Sequence, residues 1–139
     1  MNSEAPDSNG IREWTQPRPF SLRNRARSFL YAGRGFRTLI TREHNAWIHA
    51  AATVAVVAAG LTLRIDRTDW ALLILAMMAV WTAESLNTAV ELLADAALPE
   101  FHPLVRKSKD VAAAAVLIAA GGALLIGILV FVPHVSRFF

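Results

Sequence analysis

Two stretches of this 139-residue chain, residues 46–63 and 111–133, contain no Asp, Glu, Lys or Arg. A third apolar stretch, residues 70–97, contains acidic residues but no basic one. Because a helix needs roughly 20 apolar residues to cross about 30 Å of hydrocarbon, each stretch is near or above the length of a membrane span. We therefore predict an all-α integral membrane protein with three transmembrane helices, at about residues 46–63, 70–97 and 111–132.

The amino-acid composition agrees with this prediction. Apolar residues make up 55% of the chain, and the 7 glycines bring the share to about 60%, against roughly 45–50% in a soluble domain counted the same way. The absence of cysteine excludes disulfides, thiolate metal sites and cysteine nucleophiles. The net charge of +3 is small and concentrated in one segment, so we expect an anionic membrane surface and no nucleic acid as a partner.

The basic residues predict the orientation of the chain in the membrane. Of the 14 Lys and Arg residues, 8 precede Asn45, and Arg106, Lys107 and Lys109 lie between the second and third spans. The loop between the first two spans, residues 64–69, has balanced charge. The positive-inside rule therefore places the N-terminus and the second loop in the cytoplasm and the C-terminus outside.

The region before the first span divides into two parts. Residues 1–19 are rich in Pro, Ser, Asn and charged residues, a composition that cannot bury enough apolar area to offset its ordering entropy. We predict a disordered cytoplasmic tail there. Residues 20–42 carry Leu22, Phe29 and Phe36 on one side of a helical wheel and arginines on the other. This pattern predicts an amphipathic surface helix that begins a single membrane domain extending to residue 139.

An acidic stripe in the second span points to function. Glu84, Asn87, Glu91 and Asp95 follow one another at spacings of 3, 4 and 4, which places them on one face of a helix. Each ionisable group in a span costs about 2.5–3.5 kcal/mol on the insertion scale, so the stripe requires a reason. If the span begins outside near residue 70, Glu84 lies roughly 21 Å in and Glu91 roughly 31 Å in, at the cytoplasmic boundary.

Other charged residues are predicted to lie at the same level. Glu43 precedes the first span, and Lys109 and Asp110 precede the third, which we expect Ser108 to cap. Carboxylates at this boundary can hold Mg²⁺ together with phosphate oxygens, and Lys109 can offset phosphate charge. A deeper carboxylate can act as a general base. The arrangement suits transfer of a phosphoryl group from a soluble nucleotide to a lipid hydroxyl.

Two other interpretations of the stripe remain open at this point. Polar residues can hold helices together, which would make the chain a non-enzymatic membrane interaction protein. They can also form an ion- or proton-conducting relay. The boundary depth argues against both, since residues 70–83 offer no carboxylate to continue a relay. His44 and His49 are interpreted as interfacial polar residues rather than metal ligands. Small residues in the first and third spans predict self-association without specifying its order.

The residues of the stripe and the following loop resemble a known family. The run from Glu84 to Glu91 with Asp95, followed by Pro99–Leu104 and the pair Lys109–Asp110, resembles the bacterial diacylglycerol kinase and undecaprenol kinase family. The likeness extends from about residue 28 to residue 132. The same pattern is matched upstream by the following residues: Tyr31, Gly35, Glu43, Asn45 and His49.

The resemblance implies a homotrimeric lipid kinase of the bacterial inner membrane that uses ATP and Mg²⁺. Its acceptor would be a lipid alcohol, either undecaprenol or diacylglycerol. Glu84 matches the family's general base, with Asn87 supporting it. Glu43 and Glu91 match the carboxylates that bind the metal ions on ATP. The positions that match residues around the nucleotide are Tyr31, Glu43, Glu91, Glu100, His102, Lys109 and Asp110, with Asp95 a weaker candidate.

Overall fold

The computed structural model describes residues 21–98 and 100–138, apart from the side chains at positions 24 and 138. These residues form four helices, α1 (Leu22–Arg42), α2 (His44–Leu63), α3 (Arg67–Ala97) and α4 (Pro103–Val135), followed by a short 3-10 turn, Ser136–Phe138. No strand occurs in these two ranges, so the predicted all-α class is confirmed for them. The predicted disordered tail, residues 1–19, lies outside the described residues.

The chain divides into two compact units, Met1–Arg34 and Gly35–Phe139. The described part of the first unit is the N-terminal part of α1, where Leu22, Phe29 and Leu30 are exposed. An exposed apolar side on an arginine-rich helix is suited to contact with a lipid surface. The second unit contains the end of α1 and all of α2, α3 and α4.

The three predicted spans correspond to α2, α3 and α4. Each of these helices is long and apolar enough to cross a membrane. Helix α3 is the most enclosed of the three. In its apolar 18-residue segment 33% is buried inside the protein, against 11% for the corresponding segment of α2 and 6% for that of α4. The exposed apolar side chains of α2 and α4 carry no penalty in lipid, because lipid tails are as apolar as the side chains themselves.

A tight turn joins α2 to α3. Arg64 ends α2 in the left-handed conformation, with φ 51°, and its N–H bonds to the carbonyl oxygen of Gly60. The side chain of Asp66 then accepts hydrogen bonds from the N–H groups of Thr68 and Asp69, at 2.7 and 3.0 Å. This N-cap satisfies backbone donors in the first turn of α3, which explains why the helix starts slightly earlier than the apolar pattern predicted.

Helix α4 starts well before the third apolar stretch, and the predicted cap at Ser108 is wrong. The helix begins at Pro103, and His102 is its N-cap, with Nδ1 accepting a hydrogen bond from the N–H of Leu104 at 3.3 Å. Proline favours the first helical position because its φ is already helical and it has no N–H to satisfy. The basic residues before the span are therefore already helical, and Ser108 lies inside α4.

The buried apolar core of the second unit lies near the turn between α2 and α3. It contains Ile65, Leu73 and Val130, with Trp70 packed against it. Toward the other end of α3 the buried side chains are polar instead, namely Glu84, Asn87 and Thr88. The apolar cluster thus anchors one end of the helices, and the polar residues of the candidate site occupy the other.

Candidate functional site

Glu84 is completely buried on α3. Neither of its carboxylate oxygens has a hydrogen-bond partner among the described residues. His49 of α2 faces it, with Nε2 3.9 Å from Oε2 of Glu84. Burying a carboxylate without a hydrogen bond is costly, so Glu84 is a candidate for a chemical role.

Asn87 and Glu91 continue the stripe on the same face. The Nδ2 group of Asn87 donates a hydrogen bond to Oε1 of Glu91 at 3.0 Å. Oδ1 of Asn87 and Oγ1 of Thr88 are both buried, and neither has a hydrogen-bond partner among the described residues. The amide of Asn87 therefore orients the Glu91 carboxylate while its own carbonyl oxygen remains available to a ligand.

A cavity of about 310 Å³ is lined by three residues of the stripe, Glu84, Asn87 and Glu91. Helix α2 contributes Asn45 and His49 to its lining, and α4 contributes only apolar side chains. The predicted association of Glu84, Asn87 and Glu91 is thus observed. The cavity combines several oxygen acceptors with an apolar wall, which suits a hydroxyl group carried on an apolar molecule.

A larger apolar groove of about 1200 Å³ runs between α3 and α4. Its lining is mostly aliphatic, with Lys107 and Ser108 near one end. Asn87 lines both this groove and the smaller cavity. A groove of this kind can accept a hydrocarbon chain beside the polar residues.

Glu43 lies at the junction between α1 and α2. It occupies the N-cap position of α2 without a capping hydrogen bond from its side chain. Both Glu43 and Glu91 interact electrostatically with Glu84. Within the described ranges, no group of three or more His, Asp or Glu side chains is arranged to hold a metal ion. Two carboxylates are nevertheless sufficient for Mg²⁺ that also binds substrate phosphates and water, so Glu43 and Glu91 fit that ion chemically.

The remaining candidates are not gathered around this cavity. Lys109 donates a hydrogen bond to Asp95 and thereby links α4 to α3. Glu100, His102 and Asp110 are exposed and are not part of the cavity lining. Tyr31 belongs to the first unit, where the guanidinium of Arg34 lies 5.8 Å from its ring centroid.

His49 is the site residue whose role the sequence analysis missed. It was interpreted as an interfacial polar residue, yet its ring lies against Glu84 and lines the cavity. The available signal was its spacing of four from Asn45, which places two polar side chains on one face of an otherwise apolar helix. That spacing does not reveal which neighbouring helix the face meets.

Comparisons with known proteins identify the family of this chain. The sequence model of the family described as prokaryotic diacylglycerol kinase matches residues 30–131. The chain is 36% identical over 107 residues to the undecaprenol kinase of Bacillus subtilis strain 168, covering 77% of this chain and 87% of that protein. It is 36% identical over 107 residues to the diacylglycerol kinase of Synechocystis, covering 76% of this chain and 61% of that protein.

A third relative is the diacylglycerol kinase of Escherichia coli K12, 34% identical over 89 residues, which cover 64% of this chain and 73% of that protein. The family match covers well over half of the chain and includes the whole acidic stripe. It also includes α2 and α3 completely. The chain therefore belongs to the prokaryotic diacylglycerol kinase family and is a membrane lipid kinase.

Proposed function

We propose that this chain transfers the γ-phosphate of ATP to the hydroxyl group of a membrane lipid alcohol, with Glu84 as the general base. The observation that carries the proposal is the burial of Glu84 at a cavity lined by Asn87 and Glu91, with neither carboxylate oxygen hydrogen-bonded to any residue that the structure describes. A general base must be able to reach the proton that it removes. The hydroxyl of a lipid that enters the cavity supplies such a proton at this position.

In the proposed step, Glu84 accepts the proton of the lipid hydroxyl. The freed oxygen forms a bond to the γ-phosphorus, and the bond between that phosphorus and the ADP oxygen breaks. The protein contributes mainly by positioning the reactants and neutralising charge, because phosphoryl transfer requires little covalent chemistry from side chains. Asn87 supports the site by orienting Glu91 through its 3.0 Å hydrogen bond.

We assign Mg²⁺ to Glu43 and Glu91. When bound, the ion would neutralise negative charge on the phosphates of ATP. The remaining nucleotide contacts in the proposal are those that the family resemblance implies: Tyr31, Glu100, His102, Lys109 and Asp110. The hydrogen bond between Lys109 and Asp95 supports a nucleotide contact for Lys109, because it holds the positive charge at the same end of α3 as Glu91.

The acceptor lipid is proposed to be undecaprenol or diacylglycerol, which correspond to the names of the relatives. The apolar groove between α3 and α4 supports an acceptor with a long hydrocarbon chain. The cavity around Glu84 offers acceptor oxygens, the side chains of Asn45 and His49, which can donate hydrogen bonds, and an apolar α4 wall. The hydroxyl of either lipid is compatible with this lining, so a parallel assay of the two lipids distinguishes them.

The assembly is proposed to be a homotrimer with sites shared between neighbouring subunits. Glu100, His102 and Asp110 are absent from the lining of the Glu84 cavity, which supports contributions from a second subunit. We also propose the bacterial inner membrane as the location, with the N-terminus in the cytoplasm. Because the chain has no cysteine, a thiol introduced as Ser136→Cys can be labelled from outside the cell to test this orientation.

The direct test uses purified protein in detergent with Mg-ATP and each lipid alcohol in parallel. We expect phosphate transfer by the wild type and none by Glu84→Gln, which keeps the size of the side chain but cannot accept the proton as a carboxylate does. Size-exclusion chromatography should show the same assembly for both. No phosphorylated lipid from wild-type protein would contradict the proposal and support a non-enzymatic interaction protein or an ion- or proton-conducting subunit instead.

A further inference from the structure

His49 packs beside Glu84. Its side chain is 14% exposed, and that of Glu84 is 1% exposed. The hydroxyl of Thr53 donates a hydrogen bond to the carbonyl oxygen of His49 at 2.7 Å. The Nε1 group of Trp81 in turn donates to Oγ1 of Thr53 at 3.1 Å. The backbone of His49 and the ring of Trp81 are therefore connected through one hydroxyl group.

The imidazole ring also packs edge-on against an aromatic pair. The centroids of the His49 and Trp81 rings are 6.5 Å apart at an interplanar angle of 68°. Phe36, from the end of α1, lies 5.6 Å from Trp81, between ring centroids. Edge-to-face arrangements of this kind are favourable. Residues of α1 and α3 thus restrict the ring of His49 to the side of α2 that faces Glu84.

The Nε2 atom of His49 is separated from Glu84 Oε2 by 3.9 Å. This is longer than a hydrogen bond, which requires about 3 Å. Hydrogen bonds in a catalytic site are often long without substrate and shorten when the reactants bind. A small rotation of either side chain would close the gap, and the cavity leaves room for it.

We infer that His49 is the positioning residue for Glu84: its Nε2–H donates to one carboxylate oxygen and orients the other toward the lipid hydroxyl. This inference rests on the proposed role of Glu84 as the general base. His49 does not contact the transferred phosphoryl group in this arrangement. It acts through Glu84, by fixing the orientation of the carboxylate and by placing a basic side chain beside it.

The charges around this pair define its expected pH behaviour. From α3, Glu84 and Glu91 face the same cavity as His49, and Glu43 lies at the start of α2. The part of α4 that lines the cavity is apolar. His49 is therefore the basic side chain in the cavity lining, in the company of carboxylates. An adjacent cation favours the ionised form of a carboxylate, and the ionised form is the one that accepts a proton.

The test measures lipid kinase activity against pH for the wild type and His49→Gln. We expect His49→Gln to lower kcat roughly tenfold with little change in KM for ATP, because nucleotide contacts are intact. The acid limb of its activity profile should shift by about one unit to higher pH, because no basic side chain remains beside Glu84. His49→Asn provides a second neutral variant if His49→Gln does not assemble.

His134→Gln is the matched control. The side chain of His134 is also 14% exposed and also faces a carboxylate, with Nε2 3.6 Å from Oδ2 of Asp69, but at the other end of the helices. We expect this variant to keep the wild-type kcat and acid limb. An unchanged kcat and pH profile in His49→Gln would overturn the inference about His49. Failure of the wild type to phosphorylate either lipid would instead overturn the proposed function.

Discussion

The side-chain nitrogen of Lys109 donates a hydrogen bond to Oδ1 of Asp95 at 2.5 Å, which joins the N-terminal part of α4 to the C-terminal part of α3. Both side chains retain solvent exposure, 34% for Lys109 and 69% for Asp95. An exposed ion pair contributes little to stability. The ion pair matters instead for position. It keeps the Lys109 cation beside the end of the acidic stripe, where the negative charge of Glu91 also attracts that cation.

This relationship predicts separate effects for the two partners. Lys109→Met should raise the apparent KM for ATP by about tenfold or more, since it removes a charge-assisted contact to phosphate. Asp95→Asn should change the KM much less, because the amide oxygen of Asn can still accept the hydrogen bond that holds the Lys109 cation in place. Steady-state kinetics with varied ATP at saturating lipid measures both. Equal KM values for Lys109→Met and the wild type would remove Lys109 from the nucleotide site.

Glu91→Gln should impair the use of Mg²⁺. The substitution removes one of the two carboxylates assigned to the ion but can keep the hydrogen bond with Asn87 through its amide oxygen. We expect the Mg²⁺ concentration for half-maximal activity to rise at least about tenfold. Glu84→Gln is the comparison in a direct Mg-ATP binding titration, where it should bind like the wild type although it does not turn over. A normal Mg²⁺ titration for Glu91→Gln would contradict the assignment.

Gly60→Ala should destabilise the fold. A Cβ atom at this position would lie 2.9 Å from two ring atoms of Trp70 and 3.1 Å from Cδ1 of Ile65. We expect the free energy of unfolding to fall by about 1–3 kcal/mol, because overpacking outweighs the better helix propensity of alanine. Gly127→Ala is the control, since its added Cβ meets no described atom within 4 Å. Thermal unfolding in detergent should separate the two variants, and equal stability would refute the close contact.

Asp66 should make part of the stability depend on pH. The N–H groups of Asp69 and Thr68 hold the pKa of Asp66 below its ordinary value of 3.8, with help from the nearby charges of His134 and Arg137. The folded state therefore binds this proton less tightly than the unfolded chain does. The contribution of the cap is complete above pH 3.8 and is lost as the pH falls through the lower folded-state value.

The measurement is the unfolding temperature of the wild type and Asp66→Ala between about pH 6 and pH 3. Asp66→Ala should unfold at a lower temperature at the upper end of this range, because the first turn of α3 loses its cap. The difference between the two proteins should narrow toward acid, where protonation removes the same interaction from the wild type. A difference that stays constant over the whole range would argue against the cap.

The boundaries of the helices illustrate how far local patterns reach. The start of α3 was predicted to within a few residues, because loss of the apolar pattern and the cap at Asp66 nearly coincide. The start of α4 was not predicted, because the helix begins at Pro103, before the apolar stretch starts. A hydropathy pattern reports where side chains can enter lipid, whereas a helix ends where its backbone hydrogen bonds are replaced by a cap.

The candidate site divides in a similar way. Glu84, Asn87 and Glu91 could be grouped from sequence because they belong to one helix, whose periodicity fixes their common face. The contact between His49 and Glu84 could not, because it depends on how α2 is rotated against α3. That rotation is set by packing, including the close approach of Gly60 to Trp70 and the bond between Trp81 and Thr53.

The order of residues along the chain was thus sufficient to establish an all-helical membrane protein, its three spans and the acidic face of α3. Each of these features arises from neighbours within a few turns, which interact whatever the rest of the chain does. The tertiary structure decided that His49 faces Glu84 and that Lys109 bonds to Asp95. It also decided that the Glu84 carboxylate lies at a cavity lined by three helices, α2, α3 and α4. Those contacts join different helices, and helix packing depends on the shapes of all the side chains at the interface.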